Sequence, residues 1–571
     1  ILEQDEDLNS NLYPNLNDPN FSVKIAKKLE FSETKYKGDI ANIEIMAEKM
    51  CKEERELAPH QIFVRNFLSF NTPYNSLLLY HGLGSGKTCA AVGIMEETRQ
   101  YFKQLGIKNK IFVLAQPNVQ NNFKIELFDQ RKLVKNNNIW TLKSCIGDRL
   151  LKEFNANGSK TSKEIIVKSI NNMIRNSYKF IGYEEFASYI TSLSNIEGNY
   201  RVETKKIIIR KKLNNILENT LIVIDEVHNI RPSGGNKEKR IFETLMTLAN
   251  YVDNLRFLFL SATPMFNTSK EIVPLVNIMN TNDNRSIISV KEVFDDRGNL
   301  KFNEETGEKT GEDLLTTKMN GYISYVRGEN PYTYPYKIYP SLFNNEKSIK
   351  TQEYPEKTLN GNEIIQGIQY IDLYTLQAST YQEKVYNYII QQIKTSKVSF
   401  ENLESFGYTF LNPLVQTLNI VYPNNNFNDG KTVRKELLYG IDGFKSVMNF
   451  SESKKNYQYK KSILEKHGRL FSKNVIGEYS PKIKTLLDSI ENSKGIILVY
   501  SNYLESGLIP IALALEEFGM SRHGDTPSLF KNGEIKEKNH FKYVIISGEK
   551  KFSPNNKEDL KACTNESNFN G

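Results

Sequence analysis

Cysteine is scarce in this chain: four among 571 residues, at Cys51, Cys89, Cys145 and Cys563, with no CxxC pair. So few and so scattered a set excludes a disulfide framework and argues against a structural zinc site. It points to a reducing, intracellular setting. Long hydrophobic runs are missing too. The nearest candidate, Gly495 to Gly519, is interrupted by Asn502, Glu505 and Ser506, so no segment reads as a membrane span. No signal peptide opens the chain. It starts on Ile1 and stops at Gly571 in polar sequence, and is expected to be a piece of something longer. Charge of one sign is in slight excess only. Lys and Arg total 75 against 67 Asp and Glu, a net +8 with a pI near 8.8. Spread over this length, that balance permits nucleic-acid binding without arguing for it.

What is present is material for several cores. Apolar residues make up 39%, charged ones 25% and aromatics 11%, the profile of a large globular protein with room for three to four domains at about 150 residues each. A disordered, collagen-like or coiled-coil description is excluded, and no internal repeat is found. The first 20 residues are acidic and Asn-rich, a flexible lead-in. Ile40, Ile43, Met46, Ala47 and Met50 recur at helical spacing and predict a helix from Asp39 to about Leu57. Short β-type runs then alternate with helical stretches: Ser76–Tyr80, Lys110–Ala115, Tyr178–Tyr183, Leu221–Asp225 and Arg256–Ser261. They are continuously apolar rather than alternating, as strands are when helices cover both faces of a parallel sheet.

The expected organisation is therefore a lead-in over 1–39, an α/β domain over 40–285, a linker or insertion over 286–479, and the start of a second α/β domain over 480–571. Residues 281–363 are rich in Asn, Asp, Gly, Glu and Lys, with few apolar runs. A helical stretch near 370–397 and Asn-rich loops such as Pro423–Gly430 follow. The second α/β pattern is a helix near 482–492, a strand Gly495–Tyr500, a helix near 504–518 and a strand Tyr543–Ser547.

Three segments carry chemistry. His81-Gly82-Leu83-Gly84-Ser85-Gly86-Lys87-Thr88 follows the apolar Leu77–Tyr80 and precedes a helix starting near Cys89. A glycine-rich turn between strand and helix turns backbone N–H groups outward, and the helix N-terminus adds partial positive charge. Together they make a nest for a triphosphate. Lys87 would reach the β- and γ-phosphates and the Thr88 hydroxyl would ligate Mg²⁺. Gly82, Gly84, Ser85 and Gly86 complete the expected ATP contacts. The strict pattern wants Gly where His81 stands. In the second segment, Leu221–Ile224 ends in Asp225-Glu226-Val227-His228. Asp225 would hold Mg²⁺ through its water shell, and Glu226 would orient and deprotonate the attacking water. The third segment, Leu258–Leu260, ends in Ser261-Ala262-Thr263-Pro264, whose hydroxyls can bond the acidic box and relay nucleotide state.

Together these segments resemble superfamily 2 helicases and translocases: an AxxGxGKT P-loop with His81 in the Ala position, a DEVH box and a SAT box. The resemblance implies two RecA-like parallel-sheet domains, the second truncated, with a mixed, partly helical insertion between them. It also implies ATP and Mg²⁺ as cofactors and catalytic roles for Lys87, Asp225 and Glu226. Gln61, in Leu57-Ala58-Pro59-His60-Gln61, takes the place of the glutamine that reads the adenine edge. His228, Ser261 and Thr263 are implied as coupling residues. Ala115-Gln116-Pro117-Asn118 and Ile181-Gly182-Tyr183 look like motifs Ia and Ib, and Ser501 lies in the motif IV position. This implies nucleic-acid contacts at Pro117, Asn118, Tyr183 and Ser501.

Within the superfamily the likeness is to the branch found in nucleocytoplasmic large DNA viruses, which includes poxvirus nucleoside triphosphate phosphohydrolase I and the early transcription factor small subunit. It rests on Leu77–Thr88, Asp225–Arg231, Ser261–Asn267 and Gly321–Gly328 with Asn330-Pro331. It implies a DNA-dependent ATPase and translocase acting in viral transcription, in the virion and the host cytoplasm. Its partners would be DNA, with RNA not excluded, and viral RNA polymerase or transcription factor subunits, with no membrane. The alternative is a promoter-binding initiation factor subunit with ATP-regulated assembly and little unwinding. A complete member carries motifs V and VI beyond the point where this chain stops, so ATP binding with poor hydrolysis is expected. Arg327 reads as a surface arginine on a linker turn. Tyr332–Tyr339 could stack bases or form a buried turn, and the basic runs Lys205–Lys212 and Lys454–Lys461 read as solvated faces.

Overall fold

In the computed structural model of the chain, the described residues are 12–36, 42, 45, 57–137, 139–153, 161–196, 200–232, 235–265, 268–295, 298–303, 306–327, 338–352, 354–357, 363–364, 371–395, 403–453, 455–524, 527–530 and 541–563. The helix expected from Asp39 lies almost wholly outside them. So does most of the Tyr332–Tyr339 segment. Two units emerge, Ile1–Lys337 and Ile338–Gly571.

All five apolar runs of the first unit form strands: β1 (Ser76–His81), β2 (Ile111–Leu114), β5 (Tyr178–Ile181), β6 (Leu221–Ile224) and β7 (Arg256–Ser261). A separate antiparallel hairpin, β3 (Leu133–Asn136) and β4 (Ile139–Leu142), lies between β2 and β5 in sequence. The main sheet has six strands in the order β5-β2-β6-β7-β1-β8, all parallel. Its sixth strand is β8 (Ile323–Val326), which pairs Leu78 with Ile323 and His81 with Val326.

That strand moves a boundary. The first α/β domain was expected to end at residue 285, with linker beyond, yet residues 323–326 close one edge of its sheet. An edge strand needs no continuous apolar run: Tyr325 is exposed and Ile323, Ser324 and Val326 are half-buried. The segment therefore reads as polar linker while serving as a strand.

Helices cover both faces, as the continuous apolar pattern requires. They are α1 (Pro59–Phe67), α2 (Lys87–Leu105), α3 (Pro117–Leu127), α4 (Lys163–Ser177), α5 (Tyr183–Ser194), α6 (Val202–Leu217), α7 (Asn236–Tyr251) and α8 (Ile272–Asn282). One core packs Leu77, Leu79, Val113, Val223 and Leu258 against α2 and α4. The other packs Leu78, Phe112, Leu114, Ile222, Ile224 and Phe259 against α5 and α7. Successive strand residues thus feed opposite cores. The basic run on α6 is a solvated face, with Arg210 paired to Asp253 and Lys206 to Glu203.

Cysteine scarcity excluded a framework of disulfides, but it does not exclude one. Among the described residues, Cys89 on α2 and Cys145 are bonded, with Cα atoms 5.4 Å apart across 56 residues of sequence. In the chain-entropy account, closing a loop of that length is worth about 4 kcal/mol.

The second unit has helices α9 (Thr380–Thr395), α10 (Leu403–Asn419), α11 (Pro481–Glu491) and α12 (Ile509–Phe518) around a core that includes Val385, Phe444, Phe471 and Leu513. Its strands are the antiparallel pair β9 (Met448–Ser451) and β10 (Asn456–Tyr459), and the two-residue parallel pair β11 (Ser521–Arg522) and β12 (Lys542–Tyr543). The strand expected over Gly495–Tyr500 does not form, and that expected over Tyr543–Ser547 shrinks to β12. Residues 380–479, expected as linker and insertion, contribute much of this unit's own core. No helix among the described residues is long and apolar enough to cross a membrane.

Candidate functional site

The site is built where β1, β6 and β7 end. Beyond β1 the chain turns through Gly84 (φ +75°) and Gly86 (φ +77°), left-handed conformations that glycine adopts without a Cβ penalty. A side chain on Gly86 would also collide with the amide of Gln61. The turn delivers Lys87 and Thr88 to the first two positions of α2, whose 19 residues align their peptide dipoles towards the turn. The Lys87 ammonium donates to the backbone carbonyls of His81 (2.8 Å) and Gly82 (3.3 Å). Burial holds its pKa below the ordinary lysine value, against the opposing pull of Glu226 and Asp225.

Behind this turn lies Gln61, the glutamine that the sequence placed at the adenine. Gln61 is buried, and both ends of its amide are used. Nε2 donates to the carbonyls of Gly86 (3.0 Å) and Ser85 (3.4 Å), and Oε1 accepts from Ala58 N–H (2.9 Å), capping α1. The residue expected at the adenine thus ties α1 to the loop. His60 adds a contact from its Nε2 to the Ser85 carbonyl at 2.9 Å. His81 is fully buried, its Nε2 2.9 Å from the Ser324 hydroxyl on β8 and its Nδ1 without a partner among the described residues. Burial, with His60 and Lys87 nearby, lowers its pKa to about 3, so the ring stays neutral.

The acidic box follows β6. Asp225 takes the next ladder bond, from its N–H to the Leu114 carbonyl at 3.0 Å. Burial and the neighbouring Glu226 raise its pKa to about 6, with Lys87 acting in the opposite sense. Glu226 has φ +48° and ψ +55°, a left-handed backbone that a glutamate adopts only when its surroundings impose it. The turn throws its carboxylate out of the strand. Its Oε2 lies 3.2 Å from His228 Nδ1, which is itself 3.2 Å from the Ser261 hydroxyl. Ser261, buried at the end of β7, accepts from Thr263 N–H at 3.0 Å. Glu226, His228, Ser261 and Thr263 therefore form one continuous line from the DEVH box to the SAT segment.

Tyr183 takes a place in this assembly that the motif comparison did not indicate. At the start of α5, its hydroxyl donates to the Asp225 carbonyl. Burial and the two carboxylates push its pKa well up, so it remains a neutral donor. Pro117 is exposed at the first position of α3, and Asn118 follows it in the same first turn. Ser501 belongs to the second unit, where its hydroxyl bonds the backbone of Tyr503.

The donor set fits a magnesium nucleotide. The loop presents the start of a long helix, two left-handed glycines and a cation to one place, the features that recognise phosphate. Burial and the neighbouring Glu226 carboxylate raise the proton affinity of Asp225, a conflict that a divalent cation relieves.

Comparison with known proteins identifies the family. The model of the SNF2-related domain matches residues 43–421. A protein of Acanthamoeba polyphaga mimivirus, provisionally named ATP-dependent RNA helicase R563, is 27% identical over 558 residues, covering 97% of this chain and 76% of its own length. The early transcription factor large subunit homolog of African swine fever virus is 22% identical over 529 residues, covering 82% of this chain and 43% of its own. That relative is a large-subunit homolog, whereas the motif resemblance had pointed to the small subunit. This chain spans only 28% of a second mimivirus protein and 24% of a Frog virus 3 protein, both provisionally named as helicases. The solved SWI2/SNF2 ATPase core of Sulfolobus solfataricus in complex with dsDNA aligns with a TM-score of 0.28 at 16% identity, over 66% of this chain and 60% of that one. With its family model matched over most of the chain and its site built from the P-loop, DEVH and SAT segments, the protein belongs to the SNF2-related superfamily 2 helicase and ATPase family, with relatives among the large DNA viruses.

Proposed function

We propose that this chain is an ATP-driven nucleic-acid translocase that acts on DNA in viral transcription. The observation that carries the reading is the line from Glu226 through His228 to Ser261, because it joins the residue suited to activate water to a neighbouring strand exit. ATP would be held by the Gly82–Thr88 turn, with Lys87 leaving the His81 and Gly82 carbonyls for the β- and γ-phosphates. Gln61 would exchange its loop carbonyls for the adenine edge. Thr88 and Asp225 would hold Mg²⁺, which neutralises phosphate charge as it develops. Glu226 accepts a proton from the attacking water, and its left-handed backbone keeps the carboxylate clear of the strand. His228 and Ser261 pass the change at Glu226 towards Thr263. Tyr183 fixes the backbone on which Asp225 sits. Pro117, Asn118 and Ser501 are the proposed contacts to the tracked strand.

The viral relatives favour a role in transcription, with viral RNA polymerase or transcription factor subunits as partners and the virion and host cytoplasm as the location. The African swine fever virus relative favours a second reading, in which the chain is a promoter-binding initiation subunit and ATP governs assembly. Strand displacement on forked DNA, run beside footprinting on promoter and random duplexes, separates the two. ATP turnover stimulated by DNA of any sequence supports the translocase. Promoter-restricted protection without displacement supports the initiation subunit, and turnover stimulated by RNA alone contradicts DNA as the track.

A further inference from the structure

We propose that Cys89 and Cys145 form a redox-switched clamp on the phosphate-binding helix, so that the thiol–disulfide state of the chain sets its affinity for ATP. The inference rests on the ATP site proposed above and adds its regulation. Cys89 is the third residue of α2, directly after Lys87 and Thr88, and its Cβ lies 4.0 Å from where a Cβ on Gly86 would stand. The disulfide therefore grips the helix at the turn whose N–H groups face the phosphates. On its far side Cys145 is buried in a tight turn, where Gly147 N–H bonds the Ser144 carbonyl and Ile146 N–H bonds the Ser144 hydroxyl. Gln61 holds the loop noncovalently from α1, and Cys145 holds the first turn of α2, into which the loop runs, covalently.

The reduced form has a partner waiting. Glu126, near the end of α3, places Oε2 2.9 Å from Cys145 Sγ and 3.8 Å from Cys89 Sγ. The two sulfurs and the carboxylate oxygen all lie within 4.8 Å of one another. A disulfide has no hydrogen to offer a carboxylate, whereas a thiol has, so reduction converts that contact into an S–H···O hydrogen bond. Each state is thus stabilised by its own interaction, as a two-state element requires.

The chemistry is thiol–disulfide exchange. A small-molecule dithiol passes two electrons and two protons to the Cys89–Cys145 bond, which breaks to two thiols, and the donor leaves as its cyclic disulfide. In the reverse direction a low-molecular-weight disulfide accepts the same electrons and protons and departs as two thiols. With the bond closed, the first turn of α2 is ordered before the nucleotide arrives. With it open, binding must order that turn itself.

The test uses the full chain. Under non-reducing conditions, tryptic peptides 88–99 and 144–149 should be recovered as one cross-linked species that separates on reduction. Binding of a fluorescent, non-hydrolysable ATP analogue to the oxidised and reduced chain is then compared. Reduction should weaken binding about fivefold or more. Cys145→Ser should bind like the reduced chain and ignore reductant, while Cys563→Ser should respond as the unaltered chain does. Equal affinity in both states overturns the clamp and leaves the ATP site standing. Failure of both forms to bind overturns the clamp and the site together. Recovery of the two cysteines only as free thiols after exposure to a disulfide oxidant, with chelator-reversible zinc binding by them, overturns the switch in favour of a metal site.

Discussion

Leu77-Leu78-Leu79-Tyr80 and Ile497-Leu498-Val499-Tyr500 are nearly interchangeable as strings of residues. In the first, the three leucines are 3%, 0% and 0% exposed. In the second, Leu498 is 91% and Tyr500 81% exposed, and no strand forms. The difference is in the neighbours. β1 lies between β7 and β8, which satisfy its backbone on both sides, while helices cover both of its faces. Among the described residues, no strand is hydrogen-bonded to residues 496–500. Strand propensity prepares a segment for a sheet, but pairing and cover decide whether it joins one. The same contrast explains why the candidate site is assembled in the first unit. A P-loop aims its N–H groups usefully only when the strand before it is fixed.

Four substitutions can break or sharpen the contrast, from the largest expected effect to the smallest. Leu78→Ala removes a fully buried side chain from the central layer and should cost about 2–5 kcal/mol in chemical denaturation of the first unit. A cost under 0.5 kcal/mol would mean β1 is not held as described. Lys87→Ala removes the cation from the turn and should weaken ATP binding roughly a hundredfold in equilibrium titration. Undiminished binding would separate the loop from the nucleotide.

His81→Ala tests the packing behind the loop through pH. The folded chain keeps this ring neutral down to about pH 3, whereas the unfolded chain protonates it near 6.5. Stability from that difference is complete above pH 6.5 and is lost as pH falls from 6.5 towards 3. The substitution should therefore give a shallower acid limb in a stability–pH curve. An unchanged slope would contradict the buried, neutral ring. Leu498→Ser, in the exposed counterpart of β1, should shift stability by no more than about 0.5 kcal/mol. A loss like that of Leu78→Ala would show that residues 496–500 are covered in solution.

Sequence made the inner architecture legible because buried parallel strands announce themselves as unbroken apolar runs. β1, β2, β5, β6 and β7 are all of this kind, and the segments that carry the candidate chemistry sit at the ends of three of them. The edge strand β8 hides because its exposed tyrosine and half-buried serine resemble linker. Segment 495–500 misleads for the opposite reason, since its composition is that of a strand but pairing is a long-range property. The Cys89–Cys145 bond links positions 56 residues apart, and no local spacing encodes it. The residue types of the site were readable, but two of their attachments were not. Tyr183 supports Asp225 from the start of α5, and Gln61 spends its amide on the loop.

The account stands or falls on Glu226, whose left-handed backbone sits at the start of the line to Ser261. ATP affinity and steady-state turnover should be measured on the same preparations of the unaltered chain and of Glu226→Gln, with DNA present. The account predicts unchanged affinity and turnover lowered by about 10²–10⁴-fold. Full turnover in the variant, with affinity intact, would contradict it.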